Sequence, residues 1–202
     1  MELLLIRHAR PRRIVRARGR ADPGLDPLGW LQARALADWL APETPSALYV
    51  SPLRRATETA APLAERCRLE ARTHEGVVEW DRDDPAYIPV EELRAGRHPA
   101  WDAMRDGRWD ELGLDADAFR ARVAAALDAI AADHPGERVA VVCHAGVINA
   151  YTAEVLGLER LLWFEPRYTS ITRVLVDRSG RRSLHSLNEA AHLRALDDGP
   201  TP

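Results

Sequence analysis

The sequence predicts an α/β fold, a three-layer sandwich in which helices flank a mostly parallel central sheet, with a lid-like insertion. Short apolar runs alternate with stretches of helical spacing along most of the 202 residues. The irregular stretch 74–116 interrupts this alternation with closely spaced prolines, glycines and tryptophans. We therefore expect a single domain over 1–202 with a capping insertion at about 74–116.

The predicted strands are short runs rich in Val, Leu and Ile, as buried strands of a parallel sheet usually are. The first, Leu3 to Ile6, is continuously apolar, and the fourth is the similar run Val139 to Val142. All six predicted strands are residues 2–6, 48–50, 69–71, 139–142, 171–176 and 183–187.

Helices are predicted at 27–40, about 52–66, 117 to about 134, and 146–156, with a short one near Val90. Asp26 before Pro27 is a capping residue followed by a first-turn proline, and Ser51 before Pro52 repeats this signal. The tail after Leu196 has the composition of a disordered segment. In the first helix, the residues that repeat at helical spacing are Leu28, Leu31, Ala35 and Trp39.

The bulk composition limits the possible partners. A net charge of −3 and a pI of about 6.2 give no basic field for nucleic acid. No apolar run approaches the ~20 residues of a membrane helix, so no membrane partner is expected. The two cysteines, Cys67 and Cys143, form no disulfide framework, and with no signal peptide this predicts a cytoplasmic protein. Oligomeric state stays open, with a homodimer as one option.

Every basic side chain apart from histidine is arginine, because the sequence contains no lysine. This excludes Schiff-base chemistry, pyridoxal catalysis and a P-loop lysine. Arginine forks remain for binding anions, and they match phosphate and carboxylate groups bidentately. No pair of Cys or His residues has the spacing of a zinc site, so no metal and no cofactor are expected.

Three predicted strand ends carry chemically active side chains. Arg7 and His8 follow the first strand, the stretch 51–55 follows the second, and His144 follows the fourth. Ligands of open α/β sheets bind at the carboxyl ends of the strands, and parallel strands bring these ends to one edge. The sequence therefore predicts an anion site with a built-in histidine.

These segments resemble the histidine phosphatase superfamily, the phosphoglycerate-mutase-like fold. The segments that carry the resemblance are LIRHARP at 5–11, SPLRRATETA at 51–60 and VVCHAG at 141–146, supported by DPLGWLQARALADWL at 26–40 and LNEAAHL at 187–193. The resemblance spans nearly the whole chain in the family's order. It implies a phosphomonoester hydrolase that acts on a small phosphorylated substrate without a metal.

The resemblance also implies roles for individual residues. His8 matches the nucleophile that forms a phosphohistidine, and Arg7 matches the arginine beside it that holds phosphate oxygens. Arg55 stands immediately before the alanine of SPLRRA and so matches the phosphate-binding arginine, in preference to Arg54. His144 matches the second histidine, which contacts the phosphate and the transferred oxygen. Backbone N–H groups at helix starts near Ser51 and Gly146 are expected to help.

The family's proton donor is a carboxylate that follows the third strand region. Glu75 and Glu79 are both candidates here, and Gly-Val-Val-Glu-Trp at 76–80 favours Glu79. General acid catalysis of this kind contributes about 10²–10⁴-fold.

Ala9 replaces the glycine of the family's common RHG, and Arg10, Pro11 and Arg12 replace the residues that follow it in glycerate mutases. These departures argue against mutase activity on phosphoglycerate. A mutase is kept as one alternative to the phosphatase, and a non-catalytic phosphate-binding regulatory domain is another. The arginine-rich loop 10–20 either selects a second anion, with Arg10 and Arg13 as rim residues, or is a solvated loop.

Two features of the insertion complete the predictions. The aromatic residues Trp80, Tyr87, Trp101 and Trp109 either line a lid or pack the insertion onto the sheet. The acidic run at Asp81, Asp83 and Asp84 lacks the rest of a calcium loop and is interpreted as a solvated turn.

Overall fold

The computed structural model describes residues 1–16 and 18–196, and this part of the chain contains six strands and six α-helices. The predicted disordered tail after Leu196 lies outside the described residues. The strands are β1 Glu2–Arg7, β2 Ala47–Val50, β3 Ala71–Thr73, β4 Arg138–Cys143, β5 Ile171–Val176 and β6 Arg182–Glu189. The helices are α1 Pro27–Leu40, α2 Arg54–Cys67, α3 Val90–Ala95, α4 Pro99–Asp106, α5 Ala116–Asp133 and α6 Ala145–Leu156.

The strands form one sheet in the order β3-β2-β4-β1-β5-β6. The first four of these are parallel, whereas β5 pairs antiparallel with β1 and β6 pairs antiparallel with β5. Alternate residues of β1 face opposite sides: Leu3 and Leu5 pack with α5 and α6, while Leu4 and Ile6 pack with α1 and α2. The predicted mostly parallel sheet between two helical layers is confirmed.

The register of β1, β2 and β4 sets the position of the candidate site. Arg7 at the end of β1 lies opposite Cys143 at the end of β4, and Val50 at the end of β2 lies opposite Val142. His8, Ser51 and His144 therefore leave the sheet at the same edge.

Helix α1 covers the predicted residues but does not bury all of those that repeat at helical spacing. The carboxylate of Asp26 accepts the N–H of Gly29 at 2.7 Å, and Pro27 occupies the first turn. Of the residues at helical spacing, Leu31 and Trp39 are about half exposed. Small side chains pack α1 against its neighbours instead, together with two leucines. The buried residues of α1 are Gly29, Gln32, Ala33, Leu36, Ala37 and Leu40.

The second predicted cap is wrong. Helix α2 starts at Arg54, and its N-cap Leu53 makes no side-chain capping bond. The hydroxyl of Ser51 is used elsewhere, in a hydrogen bond with His144. Strand β3 also lies two residues later than predicted, where it pairs with β2.

The segment 74–116 forms short helices that lie over the carboxyl edge of the sheet. It contains α3, α4 and two 3-10 turns, Glu75–Val77 and Trp109–Leu112. Leu93, Met104 and Trp109 are buried in the same apolar cluster as the sheet residues, so the segment is packed onto the core. None of the helices in the described part of the chain could span a membrane.

Candidate active site

Five of the seven predicted site residues come together at the carboxyl edge of the sheet. Arg7, His8, Arg55 and Glu79 line one cavity of about 410 Å³. His144 is fully buried beside it, with 5.2 Å between its ring centroid and that of His8. Each of the five side chains is at most 6% exposed. Such burial is unusual for charged groups and requires specific partners.

The contacts of His8 fix its tautomer. Its Nδ1 lies 2.8 Å from the carbonyl oxygen of Ala9. A carbonyl only accepts hydrogen bonds, so Nδ1 carries the proton and Nε2 of the neutral ring keeps its lone pair. Burial, reinforced by the charges of Arg55 and Arg7, holds the pKa of His8 well below its ordinary 6.5. The ring is therefore neutral and nucleophilic near pH 6–7.

Ala9 and Thr59 tie the loop that follows His8 to α2. The N–H of Ala9 donates to Thr59 Oγ1 at 2.8 Å, and this hydroxyl donates to the carbonyl of Arg55 at 2.6 Å. Both side chains are fully buried, and the methyl group of Ala9 packs with Leu25. The hydroxyl of Thr59 thus couples the backbone beside His8 to the backbone that carries Arg55.

Each of the two arginines is held by polar acceptors and by one aromatic ring, and Arg7 also forms an ion pair with Glu91 at 3.7 Å. Arg7 donates from Nη1 to the carbonyl of Pro166 at 2.6 Å, and its guanidinium lies 3.9 Å from the ring centroid of Tyr168. Arg55 pairs through Nη2 with Asp81 at 2.9 Å, and its guanidinium lies 4.6 Å from the Tyr87 ring. These contacts fix both cations. In contrast, Arg54 is exposed.

His144 is oriented by Ser51, whose Oγ lies 2.7 Å from Nε2. Its Nδ1 is buried and has no hydrogen-bond partner among the described residues. Burial, followed by the charge of Arg55, holds the pKa of His144 well below 6.5. When the Ser51 hydroxyl donates to Nε2, the neutral ring carries its proton on Nδ1 and offers it as a donor.

Glu79 has the environment of a general acid. Burial, with a further contribution from the Asp81 charge, raises its pKa from 4.5 to about 7. Its Oε2 accepts the N–H of Gly146 at 2.8 Å, and Oε1 accepts the N–H of Trp80 at 3.1 Å. These two bonds favour the charged form but do not outweigh burial. A β-carbon on Gly146 would collide with the Glu79 carboxyl, so the close approach requires glycine.

The backbone before Glu79 is held by an arginine that the sequence did not single out. Arg122 of α5 donates to the carbonyls of Glu75, Gly76 and Val78 at 2.9–3.2 Å. The Glu75 side chain is 67% exposed, pairs with Arg82 and does not line the cavity. The geometry therefore favours Glu79 over Glu75.

Neither predicted rim arginine lines the cavity. Arg10 pairs with the cap residue Asp26 at 2.7 Å, and Arg13 pairs with Glu92 at 3.3 Å. Both are exposed, as a solvated loop requires. The arginines found in the lining are instead Arg105 and Arg160, in addition to Arg7 and Arg55.

Two further expectations need correction. Asp81 is not part of a solvated turn, because it forms the ion pair with Arg55. The first N–H of α2, on Arg54, donates to Asp22, while that of Gly146 donates to Glu79. These N–H groups at the helix starts therefore bind carboxylates of the protein itself. No signal within the short motifs indicates such long-range pairing.

All four aromatic residues of the insertion line the cavity, namely Trp80, Tyr87, Trp101 and Trp109. Trp109 is also buried in the main apolar cluster, so it serves both of the roles left open by the sequence. Across residues 1–16 and 18–196, no group of three or more His, Cys, Asp or Glu side chains is arranged to hold a metal ion.

Comparison with known proteins gives concordant results. A model of the histidine phosphatase superfamily (branch 1) matches residues 3–190. The chain is 32% identical over 179 residues to a glucosyl-3-phosphoglycerate phosphatase of Mycobacterium tuberculosis, covering 80% of this chain and 78% of that protein. It is 30% identical over 169 residues to phosphoserine phosphatase 1 of Hydrogenobacter thermophilus, covering 79% and 78%.

Solved structures show the same similarity. Phosphoserine phosphatase from Entamoeba histolytica in complex with 3-phosphoglyceric acid has a TM-score of 0.75 at 25% identity, covering 95% of this chain and 98% of that chain. The mycobacterial glucosyl-3-phosphoglycerate phosphatase has a TM-score of 0.75 at 26% identity, covering 94% and 99%.

Proposed function

The chain belongs to the histidine phosphatase superfamily and is a phosphoric monoester hydrolase, and we propose that it works through a phosphohistidine on His8. In this proposal the substrate is a small phosphorylated molecule, and no metal takes part. Arg7, Arg55 and His144 bind the phosphoryl group, and Glu79 is the proton donor. Arg7, His8, Arg55 and His144 lie in the segments that carry the resemblance to the family.

One observation carries the proposal: the hydrogen bond from His8 Nδ1 to the Ala9 carbonyl. It leaves Nε2 as the reactive nitrogen of a neutral imidazole. A histidine that served only packing would have no use for two neighbouring arginines. Their positive charges disfavour protonation of its ring and so lower its pKa. The same two cations favour a negatively charged group next to the ring.

The donors around His8 suit a phosphoryl group. The Nε atoms of Arg7 and Arg55 and the Nδ1 of His144 are buried without a hydrogen-bond partner among the described residues. Buried donors of this kind are uncommon in folded proteins and point to an acceptor supplied by a ligand. Phosphoryl transfer needs mainly positioning and neutralisation of charge, which two arginines and a histidine can provide.

The reaction then follows in two balanced steps. His8 Nε2 forms a bond to phosphorus as the bond from phosphorus to the leaving oxygen breaks, and Glu79 gives its proton to that oxygen. Water next attacks the phosphohistidine and gives a proton to the Glu79 carboxylate. The nitrogen–phosphorus bond breaks, phosphate leaves, and both side chains return to their starting states.

The two alternatives have less support. A mutase must hold a second acceptor hydroxyl on a charged glycerate, but Arg10 and Arg13 are paired elsewhere and lie outside the cavity lining. A non-catalytic phosphate-binding domain needs no general acid, yet Glu79 is buried with its pKa raised to about 7 beside the nucleophile.

The proposal is tested by hydrolysis of p-nitrophenyl phosphate in buffer containing EDTA. We expect turnover by the wild-type protein and none above background by His8→Ala. His185→Ala is the matched control, because His185 is exposed on β6 and should not affect turnover. Turnover by His8→Ala at the wild-type rate, or complete loss of activity with EDTA, would overturn the proposal.

A cytoplasmic location is also part of the proposal. Both cysteines are free, and Cys143 is fully buried at the end of β4. Burial raises the pKa of the Cys143 thiol, which makes it an inert core group. Free thiols are typical of a reducing compartment. Cell fractionation that recovered the protein in an oxidising compartment would contradict this location.

A further inference from the structure

The cavity beside His8 is strongly apolar away from its phosphate end. Its walls come from the insertion and from the segment 160–166. Trp80, Trp101 and Met104 contribute from the insertion, and Leu162 and Phe164 contribute from the other wall. A cavity of about 410 Å³ is in the range that encloses a small organic ligand. The leaving group of a bound phosphomonoester would therefore face aromatic and aliphatic side chains.

The charges of the lining disfavour a second anion. Besides Glu79, the carboxylates of Asp81, Asp84 and Glu165 line the cavity. The remaining arginines of the described lining, Arg105 and Arg160, are both exposed, and Arg105 is paired with Asp102 and Asp106. Asp81 and Glu165 are themselves paired, with Arg55 and with Arg94. A substrate carboxylate would thus be desolvated in this cavity without gaining a buried cation of its own.

In contrast, burial of apolar surface in this cavity increases the affinity for a substrate with a large apolar leaving group. Each methylene moved from water into such a cavity contributes about 0.8 kcal/mol, which equals about a fourfold gain in affinity. Aromatic walls such as the T-shaped pair of Trp80 and Trp109, with centroids 6.5 Å apart, also provide ring faces and edges for an aryl group.

We propose that the substrates of this site are phosphomonoesters of bulky apolar alcohols, aliphatic or aromatic, rather than phosphorylated hydroxy acids. This inference rests on the proposed phosphatase function and narrows its substrate class. The insertion and the segment 160–166 determine specificity by supplying apolar surface to the leaving group, while the strand ends supply the chemistry common to all phosphomonoesters.

The experiment is a homologous series of n-alkyl phosphates from ethyl to hexyl, assayed for kcat/KM by phosphate release. The alcohols of this series differ little in chemical reactivity, so chain length reports burial of the leaving group. We expect a rise of up to about fourfold per methylene, reaching on the order of 100-fold from ethyl to hexyl. A flat series, or a tenfold preference for phosphoserine or 3-phosphoglycerate over hexyl phosphate, would overturn the inference.

Two cavity variants and one control assign the effect to this cavity. Trp101→Ala and Leu162→Ala each remove part of a wall and should reduce the rise with chain length. Trp39→Ala is the matched tryptophan control, since Trp39 is about half exposed on α1 and does not line this cavity. It should retain the wild-type slope. Equal slopes in all four proteins would contradict the inference.

Failure of the inference is distinguishable from failure of the proposed function. If ethyl phosphate is hydrolysed in a His8-dependent manner but the series is flat, the phosphatase function stands and the substrate class is wrong. If no member of the series and no aryl phosphate is hydrolysed above the His8→Ala background, both are wrong.

Discussion

The role proposed for Glu79 makes a quantitative prediction about substrates with different leaving groups. A pKa of about 7 leaves roughly nine-tenths of the Glu79 carboxyls protonated at pH 6, against about 3% for a carboxyl with the ordinary pKa of 4.5. Alkoxides are poor leaving groups that need this proton, whereas p-nitrophenolate leaves without it. Glu79→Gln should therefore impair alkyl substrates selectively.

The measurement is kcat/KM, which covers the steps up to departure of the leaving group. For ethyl phosphate at pH 6 we expect Glu79→Gln to lose about 10²–10⁴-fold, the usual contribution of general acid catalysis. For p-nitrophenyl phosphate the loss should be about tenfold or less. In the wild type, kcat/KM for ethyl phosphate should fall as pH rises through about 7, because Glu79 loses its proton there.

Glu75→Gln is the matched control, because Glu75 is exposed and paired with Arg82. It should retain wild-type kcat/KM for both substrates. Equal losses for ethyl and p-nitrophenyl phosphate in Glu79→Gln would refute the reasoning. So would a larger loss in Glu75→Gln, which would transfer the acid role to that residue.

Three further predictions follow from the packing of the site. Arg55→Ala should lower kcat by about 10²–10³-fold on p-nitrophenyl phosphate, while the exposed Arg54→Ala stays near wild type; the reverse result would contradict the assignment. Thr59→Val should lower the free energy of unfolding by about 1–3 kcal/mol and also reduce kcat/KM, because it removes the hydroxyl between Ala9 and Arg55. Thr59→Ser keeps this hydroxyl and should restore both. An active, stable Thr59→Val variant would show that the hydroxyl does not couple the two backbone segments. Since folding raises the pKa of Glu79, its protonated form stabilises the protein below about pH 4.5, and this contribution is lost as pH rises through about 7. In urea titrations the wild type should therefore lose up to about 3 kcal/mol relative to Glu79→Gln between pH 4.5 and 8, and parallel pH profiles would contradict the shift.

The predictable part of the fold follows from local patterns. Continuous apolar runs such as Leu3 to Ile6 identify buried strands, and strands alternating with helices imply a parallel sheet. The positions of Arg7, His8 and His144 follow from this alone, because Arg7 ends such a strand and the two histidines directly follow one. The assignment of Glu79 as the proposed proton donor depended on the resemblance to the family. The burial of its carboxyl became visible only in the structure.

The remainder depends on long-range contacts that no local pattern encodes. Asp81 is 26 residues from Arg55, and their pairing follows from how the insertion folds back over the sheet edge. Ser51 has the sequence context of a helix cap but bonds to His144, 93 residues away. For the same reason the apolar cavity could not be predicted, because its two walls come from segments far apart in the chain.

Chemical trapping of the intermediate tests the central claim most directly. Mixing the enzyme with a phosphomonoester substrate and quenching rapidly in alkali preserves an acid-labile phosphohistidine for mass spectrometry of the peptides. We predict one added phosphoryl group on the peptide that contains His8, formed and lost at rates compatible with turnover, and its absence in His8→Ala. Turnover without a labelled peptide, or a phosphoryl group on His144 in place of His8, would contradict the account.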